Sequence, residues 1–342
     1  TMSVPLLKVD ASFLFLNPGQ KRGITMQTIT LEQERILPAP SNSRLSVHNL
    51  PIYPKTPIQE LPQEIEKVSI DKLVIAANLN PYLVQSLIAE FCNEPNITFQ
   101  GDRSSSHFSV TIMENVNCFF EEYGPNKRAR TFRIEFNPNE APAEWMPYYQ
   151  AHILPCLTDV GFTRIDIAVD TNANLSGYYL DTIVPLKTNT WRGRNKALET
   201  IYFGGTDSTK RIRIYDKKKQ LHDKKKIEIA EPVLWRIESQ LRGDKVDTWK
   251  ESFDNLVICV LNLSTLKPLE RATCIGLLQE PDIFKELDRK TARKYRKLIQ
   301  DAREFDFMPA LNKAMKQSES RLQSELEQWM PGGTEQWLYP KP

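Results

Sequence analysis

The chain has 342 residues, 40% hydrophobic and 26% charged, a balance that sustains a folded core and excludes a disordered or low-complexity chain. Net charge is only +2, so the distribution of charge says more about partners than its total. The five cysteines (Cys92, Cys118, Cys156, Cys259, Cys274) form no Cys-x-x-Cys pair, which argues against a disulfide framework and a zinc site.

The opening TMSVPLLKVDASFLFLN lacks the basic region, long apolar stretch and cleavage site of a signal peptide. Apolar runs such as LVICVLNL are too short to span a bilayer, so the expectation is a cytoplasmic protein with no membrane partner. Residues 1–66 read as an extended arm or linker, because six prolines fall in the 25 residues from Pro38 to Pro62. The short SFLFL before them is a candidate edge strand.

From Val68 the signals become regular. VSIDKLVIAANL predicts a strand and NPYLVQSLIAEFC a helix started by Asn80 and Pro81. SHFSVTIMENVNCFFEEY predicts a hairpin, RTFRIEFNP a strand, and APAEWMPYYQAHILPCLTDVG a helix closed by Gly161. The series then restarts: FTRIDIAVDT as a strand, NLSGYYLDTIVPL as a helix, and ETIYFGGTDSTKRIRIYDKKKQ as a hairpin turning at the glycine pair. PVLWRIESQLRG follows as a strand and DKVDTWKESFDNLVICVLNL as a helix.

The order strand, helix, hairpin, strand, helix thus occurs twice. This predicts an α+β fold whose two pseudo-repeated halves, 67–161 and 162–265, share a curved antiparallel sheet. Residues 266–330 read as a basic helical region, and 331–342 as a tail.

Period-two alternation assigns the strand faces. Arg133 and Glu135 oppose apolar neighbours in one strand, and Arg164, Asp166 and Asp170 do so in the next. Arg211, Arg213, Tyr215 and Lys217 share a face, as do Arg236, Glu238, Gln240 and Arg242. A solvated sheet face laced with salt bridges is one reading, each pair contributing roughly 0.2–1 kcal/mol. The other is a shared site. Carboxylates on neighbouring strands, Asp166 and Glu238 foremost with Asp170 or Glu135 assisting, suit a hard cation such as Mg²⁺ or Mn²⁺. The arginines suit phosphate. Tyr215 is the nucleophile candidate on this face, with Tyr202 a rival and cross-strand packing the alternative for both.

The four histidines (His48, His107, His152, His222) are dispersed, which argues against a zinc hydrolase. No phosphate-binding glycine motif of the nucleotide-dependent enzymes is present. Positive charge is concentrated in two places. Residues 187–226 hold thirteen Lys/Arg against four Asp/Glu, and residues 285–303 eight against three. Such clusters in a near-neutral chain point to a polyanion. In DRKTARKYRKLI, helical spacing puts Arg289, Arg293 and Arg296 on one stripe and Lys290, Lys294 and Lys297 on the next.

FTRIDIAVD, ETIYFGGTDSTKRIRIYDKKKQ and VLWRIESQLRGD, in that order and spacing, resemble the replication-initiation-factor family, the Rep nickase–ligases of small rolling-circle plasmids in Gram-positive bacteria. The resemblance covers roughly 68–263, and its most specific part is the YFG…RIYDK hairpin followed by RIE. It implies a dimer acting on plasmid double-strand origin DNA, with a host helicase of the PcrA type as a further partner. It also implies that Tyr215 attacks the scissile phosphodiester with Mg²⁺ or Mn²⁺ present, leaving a 5′-phosphotyrosine and a free 3′-OH. Like the family, the chain lacks a His-hydrophobic-His metal site.

On that reading Arg213, Arg236 and Arg164 position the phosphate, while Arg211, Lys217 and Lys218 grip the strand being cut. Arg289, Lys290, Arg293, Lys294 and Lys297 contact the origin. Two alternatives stay open: a relaxase or a phage or transposon initiator using the same tyrosine chemistry, and a non-catalytic DNA-binding regulator.

Overall fold

A computed structural model describes residues 65–330 apart from 81, 94–96, 101–106, 113–114, 122–129 and 195. The SFLFL segment, the proline-rich stretch and the tail lie outside the described residues. The first half comprises β1 (Ile65–Leu79), α1 (Val84–Asn93), β2 (Ile97–Gln100), β3 (His107–Ile112), β4 (Val116–Glu121), β5 (Phe132–Phe136) and α2 (Trp145–Tyr148). The second comprises β6 (Leu157–Thr171), β7 (Tyr179–Thr182), β8 (Thr188–Arg192), β9 (Leu198–Phe203), β10 (Lys210–Asp216), α3 (Lys217–Gln220), β11 (Trp235–Arg242) and β12 (Leu256–Leu261). Then come α4 (Pro268–Gln279), α5 (Arg289–Asp301), β13 (Arg303–Asp306) and α6 (Met308–Glu327).

Ten strands make one antiparallel sheet in the order β2-β3-β4-β5-β1-β6-β11-β10-β9-β8. The order is symmetric about its centre. β1 and β6 pair there, and each half continues outward through its last strand and its hairpin. The architecture is the duplicated α+β sheet that the repeating pattern predicts. The unpredicted β2 and β8 extend the two hairpins into the outer edges.

Alternation puts Ile165, Ile167, Ile212, Ile214, Ile237 and Leu241 into the main core, each at most 1% exposed. Each such side chain contributes roughly 1.5–3 kcal/mol. Helix α6 closes this core: Arg321 Nη2 donates to Val68 O, and the Tyr149 hydroxyl donates to Trp329 O at 2.9 Å. A second, smaller core lies on the sheet β13-β12-β7, where Val257, Cys259 and Leu261 meet Cys274 and Ile299 of α4 and α5.

Three predicted helices differ. The stretch around NLSGYYLDTIVPL forms one 3-10 turn, Leu175–Gly177, and then β7. Asn174 caps only that turn, and aromatic and β-branched residues favour extended backbone beyond Gly177. In the last predicted helix of the second half, Gly243–Glu251 is 3-10 and LVICVL is β12. That run is apolar without alternation because β12 is buried on both faces, with Ile258 in the main core and Cys259 in the second. The helical stretch after Trp145 ends at Cys156 rather than Gly161, since Pro155 allows only a closing 3-10 turn and β6 already begins at Leu157.

Candidate active site

The tyrosine hairpin β9–β10 turns at Gly204, whose φ of +99° disfavours any side chain and where a Cβ would meet Lys210 O at 2.8 Å. β10 is then held between β9 and β11. Across β9, β10, β11 and β6 one face carries Tyr202, Arg213, Glu238 and Ala168 in one row, and Thr200, Tyr215, Arg236 and Asp170 in the next. A third row, from β10 through β11 and β6 to β1, carries Arg211, Gln240, Asp166 and Lys72. The strand stops at Asp216, whose carboxylate accepts from Lys219 N at 2.8 Å and starts α3. This turn brings Lys217 Nζ back to 5.8 Å from the Tyr215 ring centroid, while Lys218 Nζ is tied to Glu231 O at 2.7 Å.

The arginines are paired with the carboxylates. Arg164 grips Asp166 through two bonds of 2.8 and 2.6 Å, and Arg236 grips Asp170 through two of 2.5 and 2.7 Å. Arg213 Nη2 donates to Glu238 Oε2 at 2.5 Å. Arg236 also donates to Asp71, which sits at a β-bulge in β1 between Ile70 and Lys72. Alternation alone did not single out Asp71, because a bulge breaks the alternation.

The two carboxylate strands are neighbours, as expected: β11, which carries Glu238, lies directly beside the tyrosine strand, and β6, which carries Asp166, lies one strand beyond. The two carboxylates feel each other. Burial raises the pKa of Glu238, with Arg213 opposing and Asp166 and Asp71 adding to the rise. Burial likewise raises Asp166 against the pull of Arg164 and Lys72.

Tyr215 is only 4% exposed, and burial pushes its phenol pKa upward, with Arg213 and Arg236 pulling down and Glu238 and Asp71 pushing up. Its hydroxyl has no hydrogen-bond partner, and neither do Arg213 Nε, Arg211 Nε and Gln240 Oε1 on the same face. Buried polar atoms are ordinarily satisfied, so four unpaired ones on one face suit a polar ligand. Unlike the sheet residues, α5 packs on the second core through Tyr295, Leu298 and Ile299. Arg289, Lys290, Arg293, Lys294 and Lys297 face solvent there, Lys294 pairing with Glu270 at 2.8 Å.

Among the described residues, no group of three or more His, Cys, Asp or Glu side chains is arranged to hold a metal ion. What does fit a divalent cation is the chemistry of Asp166 and Glu238, oxygen donors on paired strands whose mutual repulsion a cation would relieve. No helix among the described residues is long and apolar enough to cross a membrane.

Known proteins resemble this chain over most of its length. Two replication initiation proteins of Staphylococcus aureus are each 33% identical to the chain over 291 residues, 84% of this chain and 89% of theirs. The chain belongs to the replication initiation factor family. The sequence model of that family matches residues 184–322, a span holding the tyrosine hairpin, β11 and α5. A rolling circle replication initiator protein from Geobacillus stearothermophilus is a looser structural likeness, with a TM-score of 0.37 and 14% identity. It covers 62% of this chain and 96% of its own, and carries no weight for the fold.

Proposed function

We propose that the protein initiates rolling-circle replication of a plasmid in the bacterial cytoplasm. It nicks and religates the double-strand origin through Tyr215. The observation that supports this most is the buried, unpartnered Tyr215 hydroxyl set among Arg213, Arg236 and Lys217. A phenol buried beside cations has little structural use for its hydroxyl, whereas a phosphodiester there would meet both a nucleophile and positive charge.

In the step proposed, Tyr215 Oη forms the new bond to phosphorus and the bond to the 3′ oxygen breaks. The phenol proton goes to a base and the leaving oxygen takes one up as 3′-OH. Lys217 in its neutral form, which burial and the neighbouring Arg236 favour, is a candidate acceptor, leaving Arg213 and Arg236 to supply the positive charge. Arg213 and Arg236 hold the phosphate, with Arg164 keeping Asp166 in place. One phosphodiester replaces another, so religation is the reverse of the same reaction. Asp166 and Glu238 are the residues to hold a Mg²⁺ or Mn²⁺, which would add positive charge at the phosphate. A homodimer and a host helicase of the PcrA type complete the proposal.

Covalent capture tests it. Wild-type protein with Mn²⁺ and supercoiled origin plasmid should yield open circles and a 5′-linked peptide containing residue 215. Y215F should bind the same DNA and do neither; a labelled adduct at Tyr202 instead would move the chemistry to β9. Binding of Mn²⁺ followed by electron paramagnetic resonance should weaken in E238Q. The burial of Tyr215 favours one second reading, a regulator that binds without cutting, and absence of any adduct with wild-type protein would select it.

A further inference from the structure

β8 is the outer strand beyond β9, and its residue Trp191 pairs with Thr200, which places it in the row of Tyr215 and Arg236. The indole is 51% exposed and packs edge-on against Tyr202, ring centroids 5.0 Å apart at 72°. Arg211 in turn covers the Tyr202 ring at 4.1 Å, and Arg213 covers Tyr215 at 4.2 Å. The face is therefore an alternation of aromatic rings and guanidinium groups running from the sheet edge to the buried phenol.

An exposed tryptophan on an edge strand is a liability unless something covers it. Three observations choose the occupant. Trp191 is continuous with the row of the nucleophile. The segment 187–226 is strongly basic, which favours a polyanion over an apolar partner. Finally, Trp191 is held from one side by Tyr202 and leaves much of its surface open.

We propose that Trp191 and Tyr202 form a stacking platform for an unpaired base of single-stranded DNA, beside the phosphate taken by Tyr215. Two inter-strand spacings separate β8 from β10, about 10 Å, a short step along an extended strand. Stacking is tolerant of base identity, so the platform holds the melted strand in place without reading its sequence. The position relative to the scissile phosphate rests on the nicking reading; the platform itself does not.

The test uses the full chain with a short oligothymidylate carrying one 2-aminopurine, whose emission falls when it stacks on an indole. Wild-type protein should quench it. W191L should lose the quench and bind the single strand about tenfold more weakly, and W191F should recover most of the affinity. Duplex affinity should hardly change, and a thermal midpoint close to wild type shows that W191L is folded. Unchanged quench and affinity in W191L would overturn the platform. So would a W191L protein that shifts from dimer to monomer in sedimentation while keeping its single-strand affinity, which would assign Trp191 to contact between copies. If the wild type stacks the oligonucleotide but nicks no plasmid, the nicking reading fails and the platform stands.

Discussion

The Arg213 guanidinium carbon lies 4.2 Å from the centroid of the Tyr215 ring while Nη2 of the same group donates to Glu238 at 2.5 Å. One arginine thus touches both the candidate nucleophile and a candidate metal ligand. Its charge lowers the phenol pKa that burial raises, and it likewise opposes the rise that burial gives the Glu238 carboxyl. A phosphate arriving at Tyr215 would compete with Glu238 for this guanidinium, and the Glu238 freed in that exchange would be available to a cation.

Separate readouts divide these roles. R213A leaves Glu238 buried without its partner and should cost about 2–3 kcal/mol in denaturant unfolding. Adding E238Q to it should recover most of that loss, because the uncompensated charge is gone. Nicking should stay abolished in the double variant, and R213K should keep the stability better than the activity. A double variant that nicks would remove Arg213 from the chemistry.

Glu238 and Glu135 should respond to pH in opposite directions. Glu238 has a raised folded pKa, so its contribution is fully present below the unfolded value of 4.5 and is lost as pH rises through the folded value. For Glu135 burial pushes upward, but Lys72, Arg133 and Arg164 win and the pKa is lowered. Its contribution is present above 4.5 and is lost as pH falls through the folded value. The stability difference between wild type and E238Q should therefore shrink as pH rises through the folded Glu238 value, while the difference from E135Q should shrink as pH falls through the folded Glu135 value. Unfolding curves across mildly acid to neutral pH measure both, and equal slopes would contradict the assignment.

The polar faces were legible because β6, β10 and β11 keep strict alternation, so Arg213, Tyr215, Arg236 and Glu238 fall on one side by counting. Strand order was not legible. Nothing local to FTRIDIAVD says that β11 rather than β10 pairs with it, since the choice is made by long-range packing in the sheet. Asp71 did leave a trace. In VSIDKLVIAANL the apolar positions run Val68, Ile70 and then Leu73, Ile75, Ala77, and this change of phase at Asp71 and Lys72 marks the bulge. LVICVL read as a helix because a short apolar run buried on two sides carries no period, whereas YYLDTIV read as one because the Asn174 cap that precedes it starts only a single turn.

The two aspartates on Arg236 should separate in stability. D71N leaves Arg236 with both of its bonds to Asp170, so unfolding should change by less than about 1 kcal/mol. D170N removes that bidentate grip from a buried guanidinium and should cost about 2–3 kcal/mol. In the nicking assay D71N should still lose activity, because Asp71 anchors the Nη1 arm of Arg236, the guanidinium proposed to hold the phosphate. Full nicking by a stable D71N would make the bulge a purely structural feature.

The basic residues of α5 should announce themselves through salt. Its apolar stripe is committed to the second core, so Arg289, Lys290, Arg293 and Lys297 project from a rigid helix into solvent. If they contact origin phosphates, each one removed should flatten the plot of log affinity against log salt concentration by about 0.9. R293Q and K297Q should each show this change with nicking of a saturating substrate intact. K294Q should flatten it less, since Lys294 is engaged by Glu270 at 2.8 Å and reaches DNA only by leaving that pair. Slopes indistinguishable from wild type in R293Q and K297Q would take α5 off the DNA and leave origin binding to the sheet face and its 187–226 segment.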